Sequence, residues 1–473
     1  MIKFLRGLSS NVVIYLSAVF AISIVILNVV GIVSFQKFFS FSSLYEFVTI
    51  IGSILVIAMI SILLFKIRDT KKFVVLLFII AFVVRYLWII FVDTYPTSDF
   101  KIMYDAALEL AKGNYESVFY TGYFSVWVYQ LGFTGYLAII LKLFNNSLFV
   151  VKFINVIIIS FITIIIYFSA KKLVNEKIAR IPAILYALYV GSIVNTSVLT
   201  NQHLATLLFY LAILLILSDV NRKFRWILVG LFIALGQIIR PEGPIVILAL
   251  LLFFIFKNIN DIKELKKSLL EFCGIVLTIS IIIKVVSFGF INAGITQYEL
   301  SNRDPLWKFV CGFNHETKGT YSEEDSDYLG QFGGIGSERQ KAELELIKER
   351  LSQPKKLAIT LAYKYTIMWA LNDTSLQLSF TENVDKPMLY DISLKLEKIQ
   401  YIIITVMFML GIINIIKKKD GFNNNHIYLI IFLGYVLAHL LIEVQTRYRY
   451  FALPIFFIIA SYSISEKKLK NEF

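Results

Sequence analysis

The sequence predicts an all-α, polytopic membrane protein of about twelve transmembrane helices, with two further helices lying along one membrane surface. Three observations carry this. Apolar runs long enough to cross a bilayer recur along most of the 473 residues. They are solid blocks, not the alternation of a β-barrel, so helices must satisfy the backbone inside the lipid. The formal charge of +13 sits in short basic clusters between the runs, although 58% of the chain is hydrophobic and its mean hydropathy is +0.73. Such clusters read as cytoplasmic loops and not as a nucleic-acid-binding face. Two cysteines, Cys273 in an apolar run and Cys311 in a polar loop, make neither a disulfide framework nor a metal cage. The first run, "NVVIYLSAVFAISIVILNVVGIVSF", is too long for a signal-peptide core and has no small-residue cleavage site, so it is retained. The abundance of Ile, Lys and Asn suggests an AT-rich bacterial genome, hence a bacterial plasma membrane.

Charge fixes the order of crossings. Lys3 and Arg6 place the N-terminus inside, and spans at about 11–34, 44–66 and 72–93 follow, with "KIRDTKK" inside. The chain then emerges outside at Asp93. The run 122–144 lies along the outer surface, because only then does the next span end at "KKLVNEKIAR" on the cytoplasmic side. Spans at about 178–199, 201–218, 224–239, 243–256 and 268–290 continue the alternation, with "RPEG" outside. Runs near 398–416, 426–442 and 448–464 finish it, with "KKKDG" and "SEKKLKNE" inside. Region 291–397 is outside and acidic. In it, "SERQKAELELIKERLSQP" reads as a surface helix ended by Pro354, "TKGTYSEEDSDYLGQFGGIG" as a mobile loop, and "KKLAITLAYKYTIMWALND" as an interfacial segment with Trp369 at headgroup level.

The most informative stretch is "VDTYPTSDFKIMYDAALELAKGNY", Val92 to Tyr115. Pro96 keeps Tyr95 extended, and Ser98 is a good N-cap, placing Asp99 in a helix's first turn, where the dipole favours negative charge. Phe100, Met103, Ala107 and Leu110 line one face; Lys101, Asp105, Glu109 and Lys112 line another, and Gly113 ends the helix. This is the pattern of a short helix floating on the membrane, with Asp99 at the water boundary. By local pattern alone, Asp99 is as readily a simple helix-start acid.

In order and sidedness these features resemble the GT-C glycosyltransferases, the bacterial relatives of protein O-mannosyltransferases and of the lipid A aminoarabinose transferase. "TYPTSDFKIMYDAALELAKGNY" is similar to that group's first outer loop, "LVGLFIALGQIIRPEG" to its Gly-rich helix and basic break, "QPKKLAITLAYKYTIMW" to its pre-span helix, and "EVQTRYRYFALPIFFIIA" to its last-helix entry. The resemblance covers roughly 72–464. It implies a first unit, 1–71, of two added spans; a core, 72–290, with interfacial helices at about 99–112 and 122–144; an extracytoplasmic region, 291–397; and C-terminal spans with a short cytoplasmic tail, 398–473. The chain departs from the family by following Asp99 with Phe100, by carrying Asn201, Gln202 and His203 where an acid is common, and by lacking a lysine in "SVFYTGYF". Loss of those acids argues against a divalent-metal mechanism; neither a metal nor another cofactor is expected.

The resemblance implies transfer of a sugar from a polyprenyl-phosphate carrier in the membrane lipid to an extracytoplasmic acceptor; since a carboxylate can deprotonate the acceptor hydroxyl, Asp99 is expected to be the base, with inversion at the anomeric carbon. Arg240, Arg447 and Arg85 are the candidates for the donor phosphate, since a guanidinium binds phosphate in bidentate fashion. Each also has a plain structural reading: a helix-end charge for Arg240, a snorkelling anchor for Arg447, and an intramembrane ion pair with Glu46 for Arg85. Tyr104, Gln202, His203, Glu242, Glu443 and Tyr448 are the candidate substrate contacts. His439 and Glu443, four apart, read as a hydrogen-bonded structural pair. Tyr95, Tyr120, Tyr123 and Trp127 are mostly belt residues, of which one or two stack on sugar. A transporter or flippase of lipid-linked saccharides would place paired repeats and polar groups at the midplane, whereas the polar groups here gather at one face. A polysaccharide polymerase would want outer loops rich in Arg and His, and this loop is acidic.

Overall fold

The computed structural model describes residues 2–34, 43–119, 122–381 and 384–464. Every regular element among them is helical. The first three helices, α1 (Ile2–Ser34), α2 (Leu44–Phe65) and α3 (Thr70–Phe91), are long and apolar enough to span a membrane. Asp69 caps α3 by accepting from the Lys72 amide. Next come α4 (Ser98–Lys112), α5 (Tyr115–Phe119), α6 (Gly122–Val126) and α7 (Leu131–Leu143). The single interfacial helix expected over 122–144 is thus broken by a short turn at 128–130. Tyr120 and the run after Ile464 fall outside the described residues.

Next come α8 (Leu148–Lys171), long and apolar enough to cross, and a pair bent by 51°, α9 (Glu176–Ala187) with α10 (Val190–Val194), that forms a broken span or a re-entrant loop. Beyond them lie α11 (Gln202–Ile216), α12 (Arg222–Ile239), α13 (Gly243–Asn258) and the spanning α14 (Ile262–Asn292). Region 291–397 holds α15 (Trp307–Gly312), α16 (Glu323–Gly330), α17 (Ser337–Leu351), α18 (Pro354–Ala370) and α19 (Thr374–Ser379). The chain closes with α20 (Pro387–Lys418), long enough to span, then α21 (His426–Leu441) and α22 (Leu453–Ala460). Among the described residues, six helices therefore qualify as spans, seven if the bent pair is one span, with five shorter apolar helices besides. This is a multi-pass, all-helical membrane protein.

Burial orders the bundle. All of α22 is buried, and Phe456 stacks on Phe408 with ring centroids 4.3 Å apart. By contrast α2 and α14 bury little of their length, as lipid-facing helices do. Trp369 does not face the lipid: it is 1% exposed and stacks on Phe456. The reason lies at the end of α18, where the Asn28 amide and the Tyr401 hydroxyl both donate to the Trp369 carbonyl, drawing that end into the bundle. Within the expected mobile loop, Ser322 caps α16 by accepting from the Asp325 amide. Pro354 opens α18 instead of only ending α17, because its missing N–H costs nothing in a first turn.

The buried Arg85 explains the bend. Its Nη1 donates to the Ala187 carbonyl at 3.0 Å, and its Nη2 to the Tyr186 carbonyl at 3.2 Å and to Ser192 Oγ at 2.5 Å. These acceptors lie on both sides of the α9–α10 break, so Arg85 takes up carbonyls that a broken helix leaves orphaned. Glu46 pairs with Lys395 at 2.5 Å and not with Arg85. Arg85→Met should lower stability by on the order of 3 kcal/mol, because it strands those carbonyls. Thermal unfolding in detergent tests this; an unchanged midpoint would remove Arg85 from the role.

Candidate active site

The ends of several helices come together around the break between α12 and α13. Asn201 before α11, Arg240 after α12 and Glu242 before α13 are linked directly: Arg240 Nη1 donates to Asn201 Oδ1 at 2.9 Å, and Arg240 Nε to Glu242 Oε1 at 2.7 Å. Pro241 and Gly243 force the break that presents them. Gly132 lets α7 lie against this corner, since a Cβ there would sit 2.0 Å from the Ile238 carbonyl oxygen.

Helix α4 lies on α7 through Phe100, Met103, Tyr104, Ala107 and Leu110, all buried. Its other face carries the exposed pairs Lys101–Asp105 and Glu109–Lys112, each at 2.6 Å. Gly113, at φ 85°, closes the helix. The N-cap is Thr97, not Ser98; Ser98 has φ 51° and starts the helix. Asp99 sits in this first turn, half-buried, and none of the described residues hydrogen-bonds or ion-pairs with its carboxylate. Burial pushes the Tyr123 and Tyr129 phenols above their ordinary range; the nearby Asp99 charge is the next largest cause at Tyr123 and adds a smaller push at Tyr129.

Three cations surround this carboxylate's neighbourhood. The Arg447 guanidinium lies 4.9 Å from the ring centroid of Phe100, the residue next to Asp99. Arg447 Nε donates to Gln445 Oε1 at 2.6 Å, while its Nη groups have no acceptor among the described residues. Arg240 stands 5.4 Å from the Tyr448 ring centroid and Arg447 5.6 Å, so both approach one tyrosine. The third cation is Lys308 of α15, paired with Glu443. Burial alone would push Lys308 down and Glu443 up. The neighbours together outweigh burial, Tyr448 and Glu443 for the lysine and Lys308 and Gln445 for the glutamate, so lysine sits above and glutamate below its ordinary value, and the pair is charged.

Amides and tyrosines hold the group in place. Asn201 Nδ2 donates to Gln130 Oε1 at 3.3 Å, and Gln130 Nε2 to the Tyr123 hydroxyl at 3.2 Å. Gln202 Nε2 donates to the Arg447 carbonyl at 2.9 Å, and the Tyr435 hydroxyl to the Tyr448 carbonyl at 2.6 Å. The structure thus brings Asp99, Arg240, Arg447, Gln202, Glu242, Glu443 and Tyr448 into one group.

Other residues singled out in the sequence lie elsewhere. Arg85 splints the α9–α10 break, and Tyr104 is buried under α4. His203 is fully buried, with Nδ1 2.8 Å from the Tyr450 hydroxyl and Nε2 3.0 Å from the Asn195 carbonyl. His439 does not pair with Glu443, because its Nδ1 bonds to the Tyr435 carbonyl at 2.9 Å. Arg449, two residues beyond Arg447 and not singled out as a candidate in the sequence, is buried against Asp373 at 3.5 Å and Glu397 at 3.4 Å. Sequence reading missed Lys308, Tyr129, Gln130 and Gln445. For Lys308 a signal existed, a lone lysine inside the apolar "LWKFV".

Above the site, loop 298–304 grips α6: the Arg303 amide donates to the Val126 carbonyl at 3.1 Å and Arg303 Nη1 to the Ser125 carbonyl at 2.6 Å. This loop is tied to α17 through Arg339, which reaches Asp304 at 2.9 Å and Glu343 at 3.2 Å. Burial first, and then Asp304, push Glu343 up to about 8. Between the ordinary glutamate value and that point the folded chain keeps a proton that the unfolded chain releases, so stability falls as pH rises. Glu343→Gln should remove this contribution. The melting midpoints of the two proteins are expected to diverge, wild type lower, from pH 5 to pH 8; a constant difference would refute it.

Compared with known proteins, residues 133–288 match the model of a family described as dolichyl-phosphate-mannose-protein mannosyltransferase. The match runs from α7 to α14 and includes Asn201, Gln202, Arg240 and Glu242, while Asp99, Lys308 and Arg447 lie outside it. No curated protein and no solved structure matches the chain. Over this segment, about a third of its length, the chain carries the pattern of the dolichyl-phosphate-mannose-protein mannosyltransferase family, consistent with the GT-C superfamily; the match indicates a membrane glycosyltransferase using a lipid-linked donor.

Proposed function

We propose that this protein moves a sugar from a polyprenyl-phosphate carrier to a hydroxyl group of an extracytoplasmic acceptor, with the site facing outward from a bacterial plasma membrane. One observation carries the reading. Of the three carboxylates in the group, Glu242 and Glu443 are each paired with a cation, while Asp99 has no partner among the described residues. A half-buried, unpartnered carboxylate beside unused guanidinium donors is an arrangement awaiting a substrate with both a proton to lose and a negative charge to be held.

The chemistry follows. Asp99 takes the proton from the acceptor hydroxyl as its oxygen bonds to the anomeric carbon. The bond from that carbon to the phosphate oxygen breaks, and the electron pair leaves with the lipid phosphate. Attack opposite the leaving group inverts the anomeric centre. Arg447, Lys308 and Arg240 balance the charge gathering on the phosphate, and both arginines approach Tyr448. With these cations present, no divalent metal is required by the proposal, and turnover should persist in EDTA.

The test is incubation of the purified, full-length protein in detergent with undecaprenyl-phosphate sugars, mannose included, and candidate acceptors. Release of free undecaprenyl phosphate by wild type, and not by Asp99→Asn, is expected. Movement of intact lipid-linked sugar across vesicle membranes without its consumption would replace this reading with a transporter.

A further inference from the structure

Lys364 of α18 is 1% exposed, and no carboxylate among the described residues pairs with it. Its Nζ donates instead to two carbonyls, Gly312 at 2.7 Å and Leu440 at 2.7 Å, with the Phe313 ring centroid 5.6 Å away. Those carbonyls belong to the last turns of α15 and α21, where intrahelical donors run out. One nitrogen therefore joins the ends of two helices.

What those ends carry makes the contact consequential. Helix α15 bears Lys308, and α21 leads directly into Glu443, Gln445 and Arg447. The two ends meet backbone to backbone: a Cβ on Gly312 would fall 2.3 Å from the Leu441 carbonyl oxygen. The Glu443 amide donates to the Lys308 carbonyl at 2.8 Å, and the Val444 amide to the Gly319 carbonyl at 2.9 Å. Gly319, at φ 81°, is moulded on the lysine stem, since its Cβ would come within 2.4 Å of Lys364 Cγ and Cδ. Burial pushes the Lys364 ammonium down to about 7, but ammonium and amine alike have the two N–H donors that the two carbonyls need.

From this geometry we infer that Lys364 is a positioning residue for the donor's phosphate: by clasping α15 to the end of α21 it sets the spacing between Lys308 and Arg447. The inference rests on the proposed role of those two cations. With the nitrogen removed both carbonyls lose the donor they share, and the Glu443–Lys308 and Val444–Gly319 backbone bonds are left to hold the two helix ends without it.

Binding of undecaprenyl phosphate to the full-length protein in detergent micelles, followed by calorimetry, needs no sugar and no acceptor. Lys364→Met is expected to weaken binding about tenfold, a loss typical of a misplaced contact group, and Lys364→Arg to recover most of it. Gly319→Ala, which keeps the ammonium but displaces its stem, should weaken binding in the same direction and serves if Lys364→Met does not fold. A lysine that merely held the fold together would lower the melting midpoint and leave the affinity of the folded protein unchanged. Wild-type affinity in folded Lys364→Met, or in Gly319→Ala, overturns the clasp while leaving the phosphate site intact. Failure of wild type itself to bind undecaprenyl phosphate overturns the phosphate site, and the clasp with it.

Discussion

Asp99→Asn is expected to lower turnover by about three orders of magnitude, the scale on which a positioned general base contributes, with little change in donor affinity. The substitution keeps the volume and hydrogen-bonding shape of the side chain, and the carboxylate it replaces has no protein partner among the described residues to leave stranded. Folding should therefore be unaffected. What is lost is the ability to accept the acceptor's proton at the moment its oxygen attacks. Asp99→Glu should restore part of the rate, because an added methylene moves the carboxylate without removing it. Steady-state release of undecaprenyl phosphate gives the rates, and a melting curve confirms the fold. Near-normal turnover in Asp99→Asn would show that the base is some other group.

Arg447→Met is expected to lower kcat/KM for the lipid-linked donor by about 10–100-fold, the worth of one or two hydrogen bonds to a charged group. Arg447 is the cation with the most unused capacity, since only its Nε is engaged by a side chain. Its guanidinium lies over the ring of Phe100, one residue from Asp99. The loss should appear in kcat as well as KM, because charge on the phosphate oxygen grows as the glycosidic bond breaks. Arg447→Lys keeps the charge but not the two-pronged geometry and should fall between. An Arg447→Met protein with unaltered kcat and KM would leave the phosphate to Lys308 and Arg240.

The three arginines first singled out show where sequence reading stops. All sit at helix ends or inside apolar runs, and hydropathy treats them alike. Arg85 turned out to face a helix break 101 to 107 residues ahead of it in the chain, whose carbonyls consume its donors. Arg240 and Arg447 instead both approach the ring of Tyr448. Lys308 escaped notice because its partner, Glu443, lies 135 residues away, and no local pattern records that distance. Trp369 failed for a related reason: aromatic residues near a helix end usually mark the interface, but three side chains from α1 and α20 hold this helix end inside the bundle.

By itself, the sequence determined the solvent and the local elements: lipid for most of the chain, helices for the elements, and a polar stretch with an acid in the first turn of α4. These follow from hydropathy, capping and the cost of unpaired backbone in a bilayer, all of which act over neighbouring residues. Only the tertiary structure decided which charges neutralise each other and which stay unspent. That choice depends on which helix ends are brought within a few ångströms, and charge pairing falls away too quickly with distance for any run of sequence to encode it alone.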